Sequence, residues 1–160
     1  MKGKYLYLLL GVCAAAVLAM ILALSLGGQQ PQRPAFTPPP FEESAQPGVP
    51  EVPEDMGYGE VDARLFKVSV CGRITVTDGS ADVYLTNPEN NYAWLKLRAL
   101  DKNGNILGET GLIRPGEYVQ KLTFTQVPSK GDSITLKIMA YEPNTYHSAG
   151  SANLNTVVGG

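Results

Sequence analysis

Hydrophobic positions divide the 160-residue chain into three parts. Residues 1–28 are almost entirely apolar, residues 29–58 hold few core-forming side chains, and residues 59–160 place an apolar side chain at nearly every second position. A period of two is typical of antiparallel strands that bury one face, whereas an amphipathic helix repeats every 3.6 residues. The pattern therefore predicts an all-β domain over residues 59–160, preceded by an apolar helix and a linker.

The run YAWLKLRAL shows this alternation most clearly. One face carries small and aliphatic side chains, which we expect in the core: Ala93, Leu95, Leu97 and Ala99. The other face carries aromatic and cationic side chains, which we expect at the surface: Tyr92, Trp94, Lys96 and Arg98. A bulge that shifted the register by one residue would instead turn Trp94 inward. In SITLKIMAYE the same alternation places four side chains inside: Ile134, Leu136, Ile138 and Ala140.

Turn sequences separate the alternating runs. Asn103-Gly104, within DKNGN, supplies the left-handed backbone that a tight hairpin needs. Pro115-Gly116, within RPGE, fits a β-turn in which proline fixes φ and glycine accepts a positive φ. About seven short strands joined in this way favour two antiparallel sheets packed face to face, which is an immunoglobulin-like β-sandwich.

The first 28 residues have the features of a signal-anchor transmembrane helix. From Tyr5 to Leu26 about 22 residues carry no charge, and a helix of that length extends about 33 Å, enough to cross the hydrocarbon core of a bilayer. Lys2 and Lys4 precede this run. Because positive charges stay on the cytoplasmic side, we expect a single-pass protein of the cell membrane, with a cytoplasmic N-terminus and an extracytoplasmic C-terminal domain.

A cleaved signal peptide is the alternative for the same segment. Ala23-Leu24-Ser25 offers small residues at the spacing that a signal peptidase accepts. Secretory apolar regions are usually only about 7–15 residues long, so the length favours retention. Cleavage would release the chain as a secreted protein, such as an inhibitor or a hydrolase.

Residues 29–58 contain eight of the twelve prolines of the chain. A segment with so few core-forming side chains cannot bury enough apolar surface to offset the entropy lost on ordering. The composition therefore predicts a disordered spacer that lifts the domain away from the membrane. As an alternative, Pro38-Pro39-Pro40 beside Phe41 resembles a motif that docks into an aromatic groove.

The segments LRALDKNGNILGE and LIRPGEYVQKLTF resemble the bacterial FxLYD-type and related immunoglobulin-like extracytoplasmic domains, over about 30 residues. The shared features are a DxxGxxLG hairpin and a following PGE turn, carried by Asp101, Gly104, Leu107, Gly108, Pro115 and Gly116. The sequence departs from the family pattern at Leu97, Ala99 and Leu100, where Phe, Leu and Tyr would stand. The resemblance implies an immunoglobulin-like fold in a small membrane-anchored surface protein of Gram-positive bacteria. It brings no catalytic residues.

The charged and reactive side chains do not form a pattern typical of catalysis. The formal net charge of -2 gives no reason to expect a nucleic-acid partner. Cys13 and Cys71 lie in different parts of the chain and are not expected to pair. His147 is the only histidine, so we expect no metal site, and the sequence predicts no cofactor and no enzymatic activity.

Aromatic and cationic side chains on neighbouring strands form the candidate binding face: Tyr92, Trp94, Lys96, Arg98, Met139 and Tyr141. Aromatic side chains on a rigid sheet bury a large area at low entropic cost, which suits a protein or glycan partner in the envelope. We therefore expect a non-enzymatic, membrane-tethered binding or scaffolding module. A structural subunit of a larger envelope or conjugation apparatus, pairing through its edge strands, is the alternative.

Overall fold

A computed structural model describes residues 2–26 and 36–159 of the chain. The chain forms two compact units, Met1–Thr37 and Pro38–Gly160. Residues 29–35, which the sequence assigns to the spacer, lie outside the described residues.

In the first unit, the residues from Lys2 to Leu26 form an α-helix, α1. The helical part of the prediction for residues 1–28 is therefore confirmed. Among the residues that the structure describes, no helix combines the length and the apolar character that crossing a membrane requires.

The second unit is all-β, as the alternation predicts. Its ten strands are β1 (Gln46–Pro47), β2 (Tyr58–Glu60), β3 (Ser69–Cys71), β4 (Ile74–Thr77), β5 (Ser80–Asn87), β6 (Trp94–Leu100), β7 (Ile106–Glu109), β8 (Glu117–Thr123), β9 (Ser133–Tyr141) and β10 (Ser148–Gly159). A short 3-10 helix covers Glu54–Met56. The predicted number of about seven strands is too low, because β1 lies in the proline-rich region, β2 begins at the last residue of that region, and Gly72 and Arg73 separate β3 from β4.

The strands form one curled, mixed sheet in the order β1-β8-β5-β4-β10-β9-β6-β7, with β3 beside β5 and β2 beside β3. Most neighbours are antiparallel, but β4 and β10 are parallel, pairing Ile74 with Val158 and Thr75 with Gly159. Further round the sheet, Gly108 of β7 forms a bridge to Phe124, just after β8. A side chain at position 108 would overlap the carbonyl oxygen of Thr123, so glycine allows this close approach.

The core lies inside the curl of the sheet. The inward positions predicted for β6 and β9 are confirmed, since all eight side chains are buried: Ala93, Leu95, Leu97, Ala99, Ile134, Leu136, Ile138 and Ala140. Phe66 and Val68, which precede β3, are also buried in this cluster. Every buried side-chain nitrogen and oxygen of the described residues has a hydrogen-bond partner, so the core carries no unsatisfied polar side chain.

Two turns have the geometry that the sequence predicts. In the β6–β7 hairpin, the Gly104 amide donates to the Asp101 carbonyl oxygen at 3.0 Å, and Gly104 has a φ of 84°. In the turn before β8, the Glu117 amide donates to the Arg114 carbonyl oxygen at 3.1 Å, and Gly116 has a φ of 80°. Glycine adopts these backbone angles without the steric penalty that a Cβ would add.

Residues 38–58 are part of the folded unit, so the prediction of a disordered spacer is wrong for this stretch. The Leu112 amide donates to the Pro40 carbonyl oxygen at 2.9 Å, and the Gly48 amide donates to the Gly116 carbonyl oxygen at 2.8 Å. β1 adds to the edge of β8, where Gln46 pairs with Tyr118. Amino-acid composition does not predict that residues 38–58 are ordered, because backbone hydrogen bonds, rather than many buried side chains, hold the segment.

Candidate binding face

The pairing of β6 with β9 brings most of the predicted binding residues together. Trp94 pairs with Tyr141, Lys96 with Met139, and Arg98 with Lys137. Residues directly opposite each other in an antiparallel pair share one face of the sheet. We call the surface formed by Trp94, Lys96, Arg98, Met139 and Tyr141 the outer face.

Tyr92, the sixth predicted residue, precedes β6 and is not part of the outer face. Its side chain is 59% exposed and lines a shallow depression together with Leu65, Phe66 and Asn91. The structure thus places five of the six predicted residues on the outer face. Trp94 lies there half-buried and does not turn into the core.

Lys96 is not the exposed cation that the alternation predicts. It is only 4% exposed, and its ammonium group lies 2.8 Å from Oε1 of Glu109. Arg98 binds the other oxygen of the same carboxylate, with its Nε 2.6 Å from Oε2. Because Arg98 pairs directly with Glu109 across β6 and β7, one carboxylate holds both cations on the outer face.

The pKa of the Glu109 carboxyl reflects these contacts. Partial burial acts to raise the pKa, but the hydrogen bonds and charges of Lys96 and Arg98 outweigh it, so the pKa lies below the ordinary value of 4.5. Glu109 is therefore ionised at neutral pH and neutralises part of the positive charge of the outer face.

An aromatic cluster covers the Trp94 end of the outer face. Phe41 meets Trp94 edge to face, with ring centroids 4.8 Å apart. Tyr146, from the turn between β9 and β10, lies with its ring centroid 5.4 Å from that of Trp94. The Arg114 guanidinium lies 3.7 Å from the centroid of the Phe41 ring, in cation–π geometry. We call Phe41, Trp94, Tyr146 and Arg114 the aromatic cluster.

A clamp formed by the backbone holds Phe41 in place. Phe41 forms a parallel bridge with Leu112, and the Glu42 amide donates to the Leu112 carbonyl oxygen at 2.8 Å. The Glu42 carboxylate accepts a hydrogen bond from the Gly111 amide at 2.7 Å. A Cβ at position 111 would lie 2.5 Å from the Glu42 backbone nitrogen, so the clamp requires glycine there.

The environment of Glu42 favours its ionised form. Partial burial acts to raise the pKa of the carboxyl, but hydrogen bonds from Ser44 and from the Gly111 amide lower it below the ordinary value of 4.5. A charged carboxylate strengthens its hydrogen bond to a backbone amide. The clamp is therefore fully formed at neutral pH.

Four residues of this surface are not predicted from the sequence: Phe41, Glu109, Arg114 and Tyr146. The sequence around Phe41 suggests only a docking motif, whereas the structure shows its ring packed on its own domain. The hairpin sequence offered a signal for Glu109, since the Asp101–Asn105 turn places it opposite Arg98. Nothing in the sequence indicates that Tyr146 meets Trp94 or that Arg114 meets Phe41.

The single histidine of the chain lies beside one acidic side chain. His147 is exposed, with its Nδ1 3.9 Å from Oε2 of Glu142. Within residues 2–26 and 36–159, no group of three or more His, Cys, Asp or Glu side chains is arranged to hold a metal ion.

The outer face offers aromatic side chains, the thioether of Met139 and the partly exposed ion pair of Arg98 with Glu109. Such a surface can hold a partner by packing and by hydrogen bonding. Searches with protein-family models and among curated proteins give no match to the sequence. The case for a function therefore depends on the geometry of the outer face and on the sequence.

Proposed function

We propose that the chain is a non-enzymatic binding module of the bacterial cell envelope, tethered to the membrane by residues 1–28. The observation that carries the proposal is the aromatic cluster, in which Trp94 is half-buried beside Tyr146 on a rigid sheet. Partly exposed Trp, Tyr and Arg side chains are the types that dominate the energy of protein interfaces.

The strand order supports an immunoglobulin-like sandwich. β4, β5 and β8 are neighbours in one half of the sheet, and β10, β9, β6 and β7 are neighbours in the other. This is the order of strands A-B-E and G-F-C-C′ in immunoglobulin domains, if β4 is strand A. On this assignment the outer face belongs to the G-F-C-C′ half.

We favour a protein as the partner. The chain's own Phe41 already packs against Trp94 from an extended, proline-containing segment whose Pro40 carbonyl oxygen binds the Leu112 amide. A partner segment with an aromatic side chain on an extended backbone would make contacts of the same kind with Tyr146 and Tyr141. Recognition would then resemble the docking of proline-rich peptides on aromatic surfaces.

The membrane part of the proposal depends on the sequence of the first 28 residues. The uncharged run from Tyr5 to Leu26, with Lys2 and Lys4 before it, supports a retained anchor with the folded unit outside the cell. Protease added to intact cells should then remove the folded unit, while residues 1–28 stay in the membrane fraction after alkaline extraction. A soluble chain that begins after Ser25 would contradict the tether and leave the binding role standing.

A site-specific cross-link tests the binding role. We would place a photoreactive phenylalanine analogue at position 146, beside Trp94, and a control at position 127, an exposed valine near the opposite end of β6. We expect an envelope protein to cross-link from position 146 and not from 127, and the product to disappear in the Trp94→Leu variant. Equal labelling from both positions, or none from either, would contradict the proposal.

A further inference from the structure

The longest strand of the domain, β10, leaves most of one edge unpaired. Along one side it pairs with β9, from Ser148 opposite Tyr141 to Val157 opposite Ser133. Along the other side it pairs with β4 only at Val158 and Gly159. Within the described residues, no backbone hydrogen bond joins residues 150–156 to any strand other than β9.

The alternation of hydrogen bonds identifies the backbone groups on this open edge. The Val158 amide and carbonyl both bond toward the β9 side, through Asp132 and Gly131. Successive residues of a strand direct their backbone groups to opposite edges. Ser151, Asn153 and Asn155 therefore direct their amides and carbonyls away from β9, and all three residues are exposed.

The sequence of β10 lacks the charged side chains and prolines that often protect an open edge. It reads SAGSANLNTVVG, with no charged residue and no proline. Natural edge strands usually carry lysine, proline or an inward charge, because an unprotected edge pairs with another chain. The inner side is covered, since the Thr156 hydroxyl donates to the Gly72 carbonyl oxygen at 2.6 Å, but this contact leaves the edge groups unpaired.

We infer that the open edge of β10 pairs with β10 of a second copy of the chain, in antiparallel orientation. The edge is self-complementary, because an uncharged strand can face itself without opposing like charges. A twofold axis at Asn153 places Asn153 opposite its counterpart and Ser151 opposite Asn155. This register pairs all three edge-directed residues, whereas any other symmetric register leaves at least one of them outside the ladder.

Contacts beside the strand extend the interface. Leu65 is 67% exposed. It also lies close to Gly150, since a Cβ at position 150 would be 3.4 Å from the Cδ1 atom of Leu65. Leu65 therefore lies at one end of the open edge, where pairing would cover it. A homodimer of this kind has a twofold, isologous interface, which is the commonest symmetry among soluble oligomers. The two folded units would then share one continuous sheet.

Disulfide cross-linking of the full chain tests the register. In a Cys13→Ser background, oxidation should link two copies of the Asn153→Cys variant, because their Cα atoms would lie about 5.5 Å apart in a hydrogen-bonded pair. Lys137→Cys, on β9 and the same surface, is the matched control. Its two copies would lie three strand spacings apart, about 14 Å, which is too far for a disulfide.

Two further variants test the edge. Asn153→Pro should raise the dissociation constant of the dimer by about tenfold or more, because proline removes an edge donor and crowds the facing strand. The intrachain ladder keeps its hydrogen bonds, since the Asn153 amide points away from β9. Asn153→Lys, which sets two lysines opposite each other, gives the same result if the proline variant does not fold.

Three results would overturn the inference. One is a chain that stays monomeric in detergent at every concentration. Another is a Lys137→Cys variant that cross-links as efficiently as Asn153→Cys. The third is a dimer that survives both Asn153 substitutions, since that dimer would form through another surface.

Discussion

The carboxylate of Glu109 on β7 lies 2.8 Å from the ammonium group of Lys96 on β6. The Lys96 side chain is almost fully covered, whereas the Glu109 side chain remains 39% exposed. The contact thus pairs the buried ammonium group of Lys96 with a carboxylate, Glu109, that is still partly exposed to water. It makes the charge balance of the outer face depend on one carboxylate.

Replacing Glu109 tests this dependence. Glu109→Gln should lower the free energy of unfolding by about 1–3 kcal/mol, because it leaves the covered Lys96 ammonium without a counter-charge, and solvent at the half-exposed carboxylate limits the loss. Urea unfolding followed by the fluorescence of Trp94, the only tryptophan, measures the change. The additional substitution Lys96→Met should recover part of it. Lys121→Ala, which removes an exposed partner of Asp82, should cost less than about 0.5 kcal/mol.

Acid should weaken the same contact. The pKa of Glu109 lies below its ordinary value of 4.5, so the folded state binds the proton less tightly than the unfolded state does. Its contribution to stability is therefore complete above pH 4.5 and is lost as the pH falls through the lower folded pKa. We expect the stability difference between wild type and Glu109→Gln to shrink over this range. A difference that stayed constant down to full protonation would show that Glu109 does not stabilise the fold through its charge.

A small substitution at Gly111 should release Phe41 without replacing any side chain of the aromatic cluster. The added Cβ in Gly111→Ala would collide with the Glu42 amide, so the clamp must open or shift. We expect the Trp94 emission to move to longer wavelength and the free energy of unfolding to fall by about 1–3 kcal/mol. Gly59→Ala is the matched control, because no atom lies within 4 Å of its Cβ position and its φ is not positive. Unchanged emission in Gly111→Ala would contradict the clamp.

Cys71 should be a poor nucleophile in the folded chain. Burial, and after it the charge of Asp82, raise the pKa of its thiol from 9.0 to about 11. In a Cys13→Ser background, alkylation at pH 8 should be slower than for free cysteine by about a hundredfold or more, and urea should restore the ordinary rate. Because the folded pKa is the higher one, stability should also fall as the pH rises from 9.0 toward 11. Rapid alkylation of the native chain would contradict this assignment.

Local patterns predicted the sheet well. Alternation identified Leu95 and Leu97 as core residues, because a strand that buries one face imposes a period of two on its sequence. Asn103-Gly104 identified a hairpin, of which only Gly104 adopts the left-handed conformation. These features depend on neighbours within a few residues, which a sequence displays directly.

Contacts between distant parts of the chain could not be read in the same way. The parallel pairing of β4 with β10 joins Ile74 to Val158, and neither segment carries a pattern that identifies the other as its partner. Alternation placed Lys96 on the correct face of the sheet but did not predict that its side chain is buried. This burial depends on Glu109 from a neighbouring strand. Proline content suggested disorder around Phe41, whereas its fixed partner Trp94 lies more than 50 residues later in the chain.

The clamp that joins Glu42 to Gly111 and Leu112 also determines how the domain would respond to mechanical tension. Tension applied to the chain before Pro38 would act on the folded unit at Phe41, where a single bridge and a few hydrogen bonds resist it. We expect the peeling of this segment to need less force than the shearing of the β6–β9 ladder, which contains seven paired positions. Trp94 would be uncovered while the sheet stays intact, so tension on the chain would expose aromatic surface on the outer face.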